Sequence, residues 1–377
     1  MKRKKVLVIC SQEIIEEQND GGKKCSFRNY ELFNSIFGNE NVFLCLLTNN
    51  KAEDLQNIFR LSAYKSTMER IINVLQGRLF TNSENEKKII KFIINNQIDI
   101  VIFERSIYGS LINRIKKSEL QCKIWVFVHN VERDYFKNKV KNQSIFYYIP
   151  YLKVAESEKK TFKYADFIMT LTGRDSKLIK NIYGKNSNLI LPMTFRDTYD
   201  EKKVISNGFT RKNLLFVGTM FQPNYKGIKW FVENVMEELR DYHLTIVGKN
   251  FEKKREELER SNVEVVGTTD SLEQYYYADN IMVIPIFYGD GMKIKTAEAM
   301  MYGKIILASD EALEGYQVEN IDGIYRCNTK ENYINCIRKL EKENNERLKK
   351  NVRQLFLNNY SFDSMLEKYK QYILKQV

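Results

Sequence analysis

Residues 281–309 read IMVIPIFYGDGMKIKTAEAMMYGKIILAS, a pattern that predicts a strand, a glycine-rich turn, a helix and a second strand in immediate succession. The apolar run 281–286 is typical of a strand that is buried on both faces. The helix is predicted over residues 292–302, and Gly303 suits the left-handed conformation that ends many helices. A second strand over 305–308 completes a unit that is typical of a parallel sheet covered by helices.

The turn of this unit has the residues of a phosphate-binding site. Ligands of open α/β sheets bind at the carboxyl ends of the strands, and a glycine turn that opens a helix offers free N–H groups and the positive end of a dipole. Lys293 is predicted in the first helical turn, where a cation opposes that dipole, and a bound diphosphate would remove the conflict. Asp290 and Glu298 are eight residues apart, and Glu298 could accept hydrogen bonds from ribose hydroxyls. A plain strand–helix–strand unit with solvated charges fits the same pattern, because a single glycine-rich turn is a weak signal.

The same alternation of short apolar runs and amphipathic stretches extends along the chain. Further strands are predicted over residues 6–10, 42–47, 98–103, 124–128, 167–171, 189–191, 214–217, 243–247 and 263–266. Helical patterns such as 229–239 lie between many of them, and the polar stretch 192–209 interrupts the series as a linker would. Since 377 residues exceed the size of a single core, we predict an α/β fold with two Rossmann-like, doubly wound domains.

Composition narrows the class of protein. The six cysteines and two histidines form no C-x-x-C pair and no metal-ligand spacing, so we expect neither a zinc site nor a redox motif. Unpaired thiols fit a reducing cytoplasm, and the apolar run at residues 6–9 is too short for a signal peptide or a membrane span. The net charge of +12 fits either an anionic partner or a lysine-rich surface without one. No recognised module or aromatic–basic motif predicts nucleic-acid binding.

Residues 289–303 closely resemble the donor-site motif of family-4 glycosyltransferases of the GT-B fold. That motif has an acidic residue, seven others and a Glu, followed by Ala-Met-Ala-x-Gly. The resemblance implies that Glu298 holds the donor ribose and that Asp290, a catalytic candidate, contacts a sugar hydroxyl. Asp290 stands where many relatives have Glu, so its carboxylate reaches one methylene less far. The residues that the resemblance places on the donor diphosphate are Gly291, Met292 and Lys293.

Two other segments of the C-terminal half resemble the same family. Residues 214–227 resemble the first strand and loop of its donor domain, where relatives often carry an Arg and then a Lys on the phosphates. Thr219 takes the place of that Arg here, so Lys293 could replace the missing cation. Residues 265–270 resemble the strand and turn that cup the nucleobase. The donor-binding residues implied by these two segments are Thr219, Asn224, Lys226, Gly267 and Thr268. A solvated loop lysine and a plain turn remain the alternatives for Lys226 and Gly267.

The N-terminal half resembles the family more loosely. The pair Gly21-Gly22 lies between the first strand and a helix predicted to start near Lys23, where the family's backbone faces sugar and acceptor, so Gly22 is a donor-binding candidate. His129 follows the strand 124–128, at a carboxyl end where active sites lie, and resembles the family's His-Asn segment. It is therefore a catalytic candidate, although a lone histidine is often a hydrogen-bonded structural residue.

Taken together, the resemblance implies a GT-B architecture with two domains facing a central cleft. Residues 1–193 would form the acceptor-side domain, 206–355 the donor domain, and 356–377 a helix that crosses back to the first domain. The implied reaction transfers a hexose or N-acetylhexosamine, with retention, from a nucleotide-diphosphate sugar to a saccharide acceptor in bacterial surface glycan synthesis. A UDP-sugar is the favoured donor, and no metal or other cofactor is required. A nucleotide-sugar epimerase and a non-catalytic glycosyltransferase-like subunit that supports a partner enzyme are the alternatives.

Residues 135–163 mix seven lysines with seven aromatic residues. Basic side chains among aromatic rings suit a surface that touches anionic headgroups. The pattern therefore predicts a cytoplasmic protein that binds peripherally to the inner face of the cell membrane, where a lipid-linked saccharide would be the acceptor. The alternative is an amphipathic helical pair whose aromatic side chains belong to the core.

Overall fold

The computed structural model describes residues 4–17, 20–50, 52–64, 66–142, 144–204, 212–343 and 345–377. The chain divides into two compact units, residues 1–192 together with 366–377, and residues 193–365. The predicted linker, 192–209, falls partly on residues 205–211, which lie outside the described residues. The predicted first residue of the second domain, 206, lies there as well.

Within the described residues, the first unit contains a parallel sheet in the order β3–β2–β1–β4–β5–β6–β7. Its strands are β1 (Val6–Cys10), β2 (Val42–Leu47), β3 (Ile58–Leu61), β4 (Ile100–Glu104), β5 (Lys123–Val128), β6 (Phe167–Thr170) and β7 (Leu189–Ile190). Its helices are α1 (Gly21–Phe37), α2 (Thr67–Leu75), α3 (Ser83–Asn96), α4 (Gly109–Lys117), α5 (Glu132–Asn142), α6 (Tyr148–Tyr164) and α7 (Gly173–Tyr183). The strand order reverses between β1 and β4, which is where sheets of this kind bind ligands.

The described part of the second unit contains a parallel sheet in the order β10–β9–β8–β11–β12–β13. Its strands are β8 (Asn213–Val217), β9 (His243–Val247), β10 (Val263–Gly267), β11 (Ile281–Ile284), β12 (Ile306–Ala308) and β13 (Ile324–Arg326). Its helices are α8 (Gln222–Phe231), α9 (Arg255–Leu258), α10 (Glu273–Tyr277), α11 (Ile294–Met301), α12 (Lys330–Leu340), α13 (Asn345–Asn359) and α14 (Phe362–Leu374), and α14 ends in the first unit. Here the order reverses between β8 and β11. Among the helices described, none is long and apolar enough to span a membrane.

The central strands supply the cores of both units. Every residue of β1, β4 and β11 is buried, as expected for parallel strands with helices on both faces. Removing one such aliphatic side chain from water contributes about 1.5–3 kcal/mol. These cores fix the carboxyl ends of the strands, and the loops that carry the predicted site residues begin there.

The apolar runs predicted as strands all lie on strands, with ends that differ by up to two residues. The run 281–286, for example, is a strand only to Ile284. Two strands escaped prediction. In β3 only Ile58 is buried, and in β13 only Ile324 is buried. Both strands are short and half-exposed, so neither has the continuous apolar sequence of a central strand.

Three helix predictions need correction. The helix predicted over 292–302 starts at Ile294, because Lys293 has an extended backbone (φ −89°, ψ 106°) and is the N-cap. The first helix starts at Gly21 rather than near Lys23, because the Asp20 side chain caps it by accepting a hydrogen bond from the Lys23 amide. The pattern at 229–239 is the later part of α8 and a π-helical segment, Val232–Met236, that follows it.

Candidate functional site

The carboxyl ends of β8 and β11 lie side by side in the second unit, since β11 pairs directly with β8. The turn that follows β11 contains Gly289 (φ +143°) and Gly291 (φ +64°), conformations that favour glycine over other residues. Asp290 between them is exposed. Met292 is half-buried, and its Sδ lies 3.2 Å from the Met193 amide nitrogen. The turn therefore delivers the chain to the start of α11, with Asp290 facing solvent.

Lys293 does not have the unopposed charge that the sequence predicted. Its Nζ lies 2.6 Å from the Glu311 Oε1 and 2.9 Å from the Gly291 carbonyl oxygen, and only 12% of its side chain is exposed. The conflict with the dipole of α11 is thus relieved by a carboxylate of the protein itself. A diphosphate on the Lys293 side chain would have to compete with Glu311.

Glu298 lies one turn into α11 and is half-buried. Its Oε2 accepts a hydrogen bond from the Tyr276 hydroxyl at 3.2 Å. Tyr276 stacks on Tyr302, with ring centroids 4.8 Å apart, and burial raises the pKa of Tyr276 well above its usual value. The tyrosine therefore stays protonated and orients one oxygen of the Glu298 carboxylate.

Lys295 is a residue that sequence reasoning missed. Its Nζ donates to the Asn224 Oδ1 at 2.7 Å, and the Asn224 amide donates to the Thr219 carbonyl oxygen at 2.8 Å. A Cβ atom on Gly218 would lie only 2.6 Å from the Lys295 Nζ. These contacts bring the loop after β8 and the first turn of α11 together. Burial lowers the pKa of Lys295 to about 7. The sequence feature that could have identified Lys295 was its position two residues after Lys293, at the start of the same predicted helix.

Lys226 occupies a different environment from Lys295. It is exposed, with its Nζ 5.7 Å from the centre of the Tyr288 ring. It lines an open pocket of about 350 Å³ together with Gly227, Trp230, Phe287, Tyr288 and Asn328. Trp230 and Phe287 pack edge to face there. Thr219 is exposed in the loop between β8 and α8, whereas Lys226 lies within α8 and is not the loop lysine that the sequence suggested.

The turn predicted to cup a nucleobase follows β10. Gly267 has φ +79°, and a Cβ atom there would lie 2.7 Å from the Glu252 Oε2. The same carboxylate accepts a hydrogen bond from the Thr268 amide at 3.0 Å. The turn therefore requires glycine, and its Thr268 amide is already bound to Glu252.

In the first unit, His129 follows β5 and belongs to a buried polar network at the carboxyl ends of β4 and β5. Its Nε2 lies 2.8 Å from the Glu104 Oε2 and 3.4 Å from the Ser26 Oγ. The Asn29 amide donates to both oxygens of Glu104, at 3.0 and 3.1 Å. Glu104 is 0% exposed and His129 is 4% exposed. A carboxylate at this distance holds the ring in one orientation. Sequence reasoning missed Glu104 and Asn29, which lie far from His129 along the chain.

Gly22 lies in the first turn of α1 near the end of β4. A Cβ atom on Gly22 would be 3.2 Å from the Arg105 Nη2 and 3.3 Å from the Asp20 Oδ1. Arg105 has φ +94°, a conformation that costs free energy for a residue other than glycine and that clusters at functional sites. Its Nη1 lies 3.8 Å from the Glu132 Oε1. Arg105 therefore joins the set of polar side chains at the carboxyl edge of this sheet.

Comparison with known proteins finds a family similarity within the second unit. Residues 211–343 match the family described as "Glycosyl transferases group 1". A curated relative, an uncharacterized 44.6 kDa protein in the cps region of Klebsiella pneumoniae, is 24% identical over 277 residues, which cover 68% of each chain.

Solved structures share the fold of the whole chain at low sequence identity. A sucrose-phosphate synthase from Thermosynechococcus elongatus superposes with a TM-score of 0.74 at 14% identity, covering 99% of both chains. HepE of Anabaena in complex with UDP and glucose gives a TM-score of 0.68 at 8% identity, covering 98% of this chain and 99% of HepE. WaaG, a glycosyltransferase involved in lipopolysaccharide biosynthesis, gives 0.66 at 17% identity, with coverage of 98% and 99%. The predicted α/β fold with two Rossmann-like domains is confirmed.

Proposed function

We propose that this chain, a glycosyltransferase of the GT-B fold, transfers a hexose or N-acetylhexosamine from a UDP-sugar to a saccharide acceptor of a bacterial surface glycan. The observation that carries the proposal is the family match over residues 211–343, which includes the turn, helix and carboxylate at the carboxyl ends of β8 and β11. The fold was predicted from the sequence and is confirmed by the solved structures that share it. The glycosyltransferase class was also predicted, and the family match over residues 211–343 supports it.

The donor is proposed to bind at this edge of the second unit. Glu298 has one oxygen bonded to Tyr276 and would accept hydrogen bonds from ribose hydroxyls. The backbone at residues 291–293, which opens α11, would hold the diphosphate at the positive end of the helix dipole. Asp290 is exposed in the turn and would contact a hydroxyl of the sugar. We further propose that lysines and the helix N-terminus stabilise the leaving diphosphate without a metal, and that transfer proceeds with retention.

UDP is proposed as the carrier because HepE, which has this fold, was solved with UDP and glucose. A surface glycan is proposed as the product because WaaG acts in lipopolysaccharide biosynthesis and a relative belongs to a cps region. On the acceptor side we propose His129 as the catalytic group. Glu104 and Asn29 hold its ring in one orientation, as a preorganised catalytic side chain requires.

The acceptor is proposed to be lipid-linked, because the first unit exposes a set of large apolar side chains beside lysines. They lie on α2, on the turn Ile145–Tyr147 and on α6, and α2 packs against α6. The most exposed are Met68, Ile71, Ile72, Leu75, Ile145, Phe146, Tyr148, Ile149 and Leu152, from 47% to 88%. We call this set the apolar patch.

Two lysines of α5 near the apolar patch, Lys137 and Lys141, are exposed. Phe162, in contrast, is buried and Phe136 packs against the core, so the aromatic residues of 135–163 divide between core and surface. Lysines next to an exposed apolar patch suit a surface of anionic lipid. We propose that the patch binds the inner face of the cell membrane and that the protein works from the cytoplasm.

A thermal-shift screen against nucleoside diphosphates and nucleotide sugars tests the donor proposal. A ligand that binds only the folded protein stabilises it by about 2.7 kcal/mol at a concentration of 100 times its Kd. We expect UDP and one or more UDP-sugars to raise the melting temperature, and uridine to raise it less. The Glu298→Ala variant should show a smaller shift. If no nucleoside diphosphate shifts the melting temperature, the proposed donor site is wrong.

A further inference from the structure

We propose that Lys295, rather than Lys293, is the side chain whose positive charge binds the diphosphate of the donor. Lys295 would then serve in place of the Arg that Thr219 replaces in the loop after β8. This inference rests on the proposed function, because it assigns a binding residue within the same donor site.

The position of Lys295 supports this role. Its side chain extends from the first turn of α11 to Asn224 in the first turn of α8 and to the backbone of Gly218 in the loop after β8. The Nζ lies 4.7 Å from the centre of the Phe216 ring, at the end of β8. Both α8 and α11 begin next to this point, and N–H groups at helix N-termini attract anions. A ligand anion at the carboxyl ends of β8 and β11 would therefore reach Lys295.

The ammonium groups of Lys293 and Lys295 have different partners. Lys293 forms an ion pair with Glu311 at 2.6 Å. For Lys295, no carboxylate among the described residues lies within 4.0 Å of Nζ, and its hydrogen bond goes to the neutral amide of Asn224. An ammonium group has three N–H donors, and a half-buried cation near two helix N-termini is unfavourable without a compensating anion. A diphosphate would supply that anion and accept the remaining hydrogen bonds.

The surroundings of Lys295 determine whether its side chain is protonated, and a bound anion would change them. On its own helix, Glu298 raises the pKa and Lys293 lowers it, but burial is the largest influence and brings the pKa of Lys295 to about 7. The groups that face it from β8, the following loop and α8 carry no charge; they are Phe216, Gly218 and Asn224. At pH 8 much of the unliganded protein therefore holds a neutral Lys295. Binding of an anion favours the charged form, so a proton should be taken up with the ligand.

Calorimetric titration of the full chain tests the inference with three probes: UDP, inorganic pyrophosphate and uridine. Titrations at pH 8 in buffers of different ionisation enthalpy count the protons, and at that pH the terminal phosphate of UDP is already ionised. Wild-type protein should take up close to one proton per UDP, and Lys295→Met should take up none. At pH 6.5 the Lys295→Met variant should bind UDP and pyrophosphate at least about 10-fold more weakly, because a charge-assisted hydrogen bond is lost, with uridine binding unchanged.

Lys293→Met is the matched control, and it should weaken UDP binding less than Lys295→Met. Lys295→Met should melt at or above the wild-type temperature without ligand, because it removes a half-buried cation, and Lys295→Gln serves if the Met variant does not fold. The inference is overturned if Lys295→Met binds UDP as wild type does, or if Lys293→Met causes the larger loss. UDP binding that is independent of Lys295 would leave the proposed function standing. Lys295-dependent binding of pyrophosphate with no added affinity for UDP would refute the nucleotide donor, and Lys295 would then remain only a diphosphate-binding residue.

Discussion

Replacement of Glu298 should remove the ability of the protein to distinguish a ribose from a dideoxyribose. A hydrogen bond to a charged group contributes about 1.5–3 kcal/mol, against about 0.5–1.5 kcal/mol for a neutral pair. Glu298→Gln keeps the shape and loses the charge, so UDP should bind about 5-fold more weakly. Glu298→Ala loses the acceptor and should bind UDP about 10- to 150-fold more weakly.

The assay compares UDP with 2′,3′-dideoxy-UDP by calorimetry, for wild type and each variant. Wild-type protein should prefer UDP, and Glu298→Ala should bind both ligands with similar affinity, which makes the pair of changes a double-mutant cycle. Tyr276→Phe is the control, because it keeps the ring that stacks on Tyr302 and removes only the hydroxyl that touches Glu298. It should retain the preference for UDP. If Glu298→Ala retains the full wild-type preference, the carboxylate does not bind the ribose.

Three further predictions follow from the first unit. His129→Ala should lower kcat by about 100-fold or more while the donor Kd stays unchanged, and equal steady-state activity would make His129 a structural residue. Each surface lysine contributes about 1 kcal/mol of attraction to anionic lipid. The double variant Lys137→Glu with Lys141→Glu should therefore bind anionic vesicles at least about 10-fold more weakly in co-sedimentation, and Phe146→Ser should weaken binding further. High salt should reverse that binding and neutral vesicles should not support it; no binding at low salt would refute the membrane proposal. Glu158→Ala should lower the free energy of unfolding, measured in urea, by more than about 3 kcal/mol, because four donors that bind the buried Glu158 side chain would lose their acceptor. Glu158→Gln should lower it less. Equal urea midpoints for wild type and Glu158→Ala would contradict this prediction.

The fold was predictable because each central strand is recognisable from its own short stretch of sequence. Continuous apolar runs mark strands buried on both faces, as in β1 and β11. The edge strands β3 and β13 have no such run, since each carries an arginine. Arg326 is exposed, and the buried Arg60 side chain is paired with Glu13. The start of α11 was also misplaced, because the extended backbone of Lys293 is set by the turn and not by helix periodicity.

The contacts within the candidate site were predictable only where its residues are close in sequence. The glycine turn and Glu298 belong to one segment, and the resemblance assigned them together. Glu311 comes 18 residues after Lys293, and Asn224 comes 71 residues before Lys295. The sequence does not indicate that Lys293 has a carboxylate partner while Lys295 has none among the residues that the structure describes. That distinction depends on which side chains the sheet brings together.

Release of UDP from a UDP-sugar, followed by ³¹P nuclear magnetic resonance with and without a panel of saccharide and lipid-linked saccharide acceptors, tests the central claim most directly. A glycosyltransferase should release UDP at a rate that depends on one acceptor, with the sugar recovered on that acceptor, and Glu298→Ala should release it more slowly. Conversion of the UDP-sugar to its epimer in the absence of any acceptor would identify an epimerase. A donor that binds and stays intact with every acceptor would identify a subunit without catalytic activity, and either result would contradict the account.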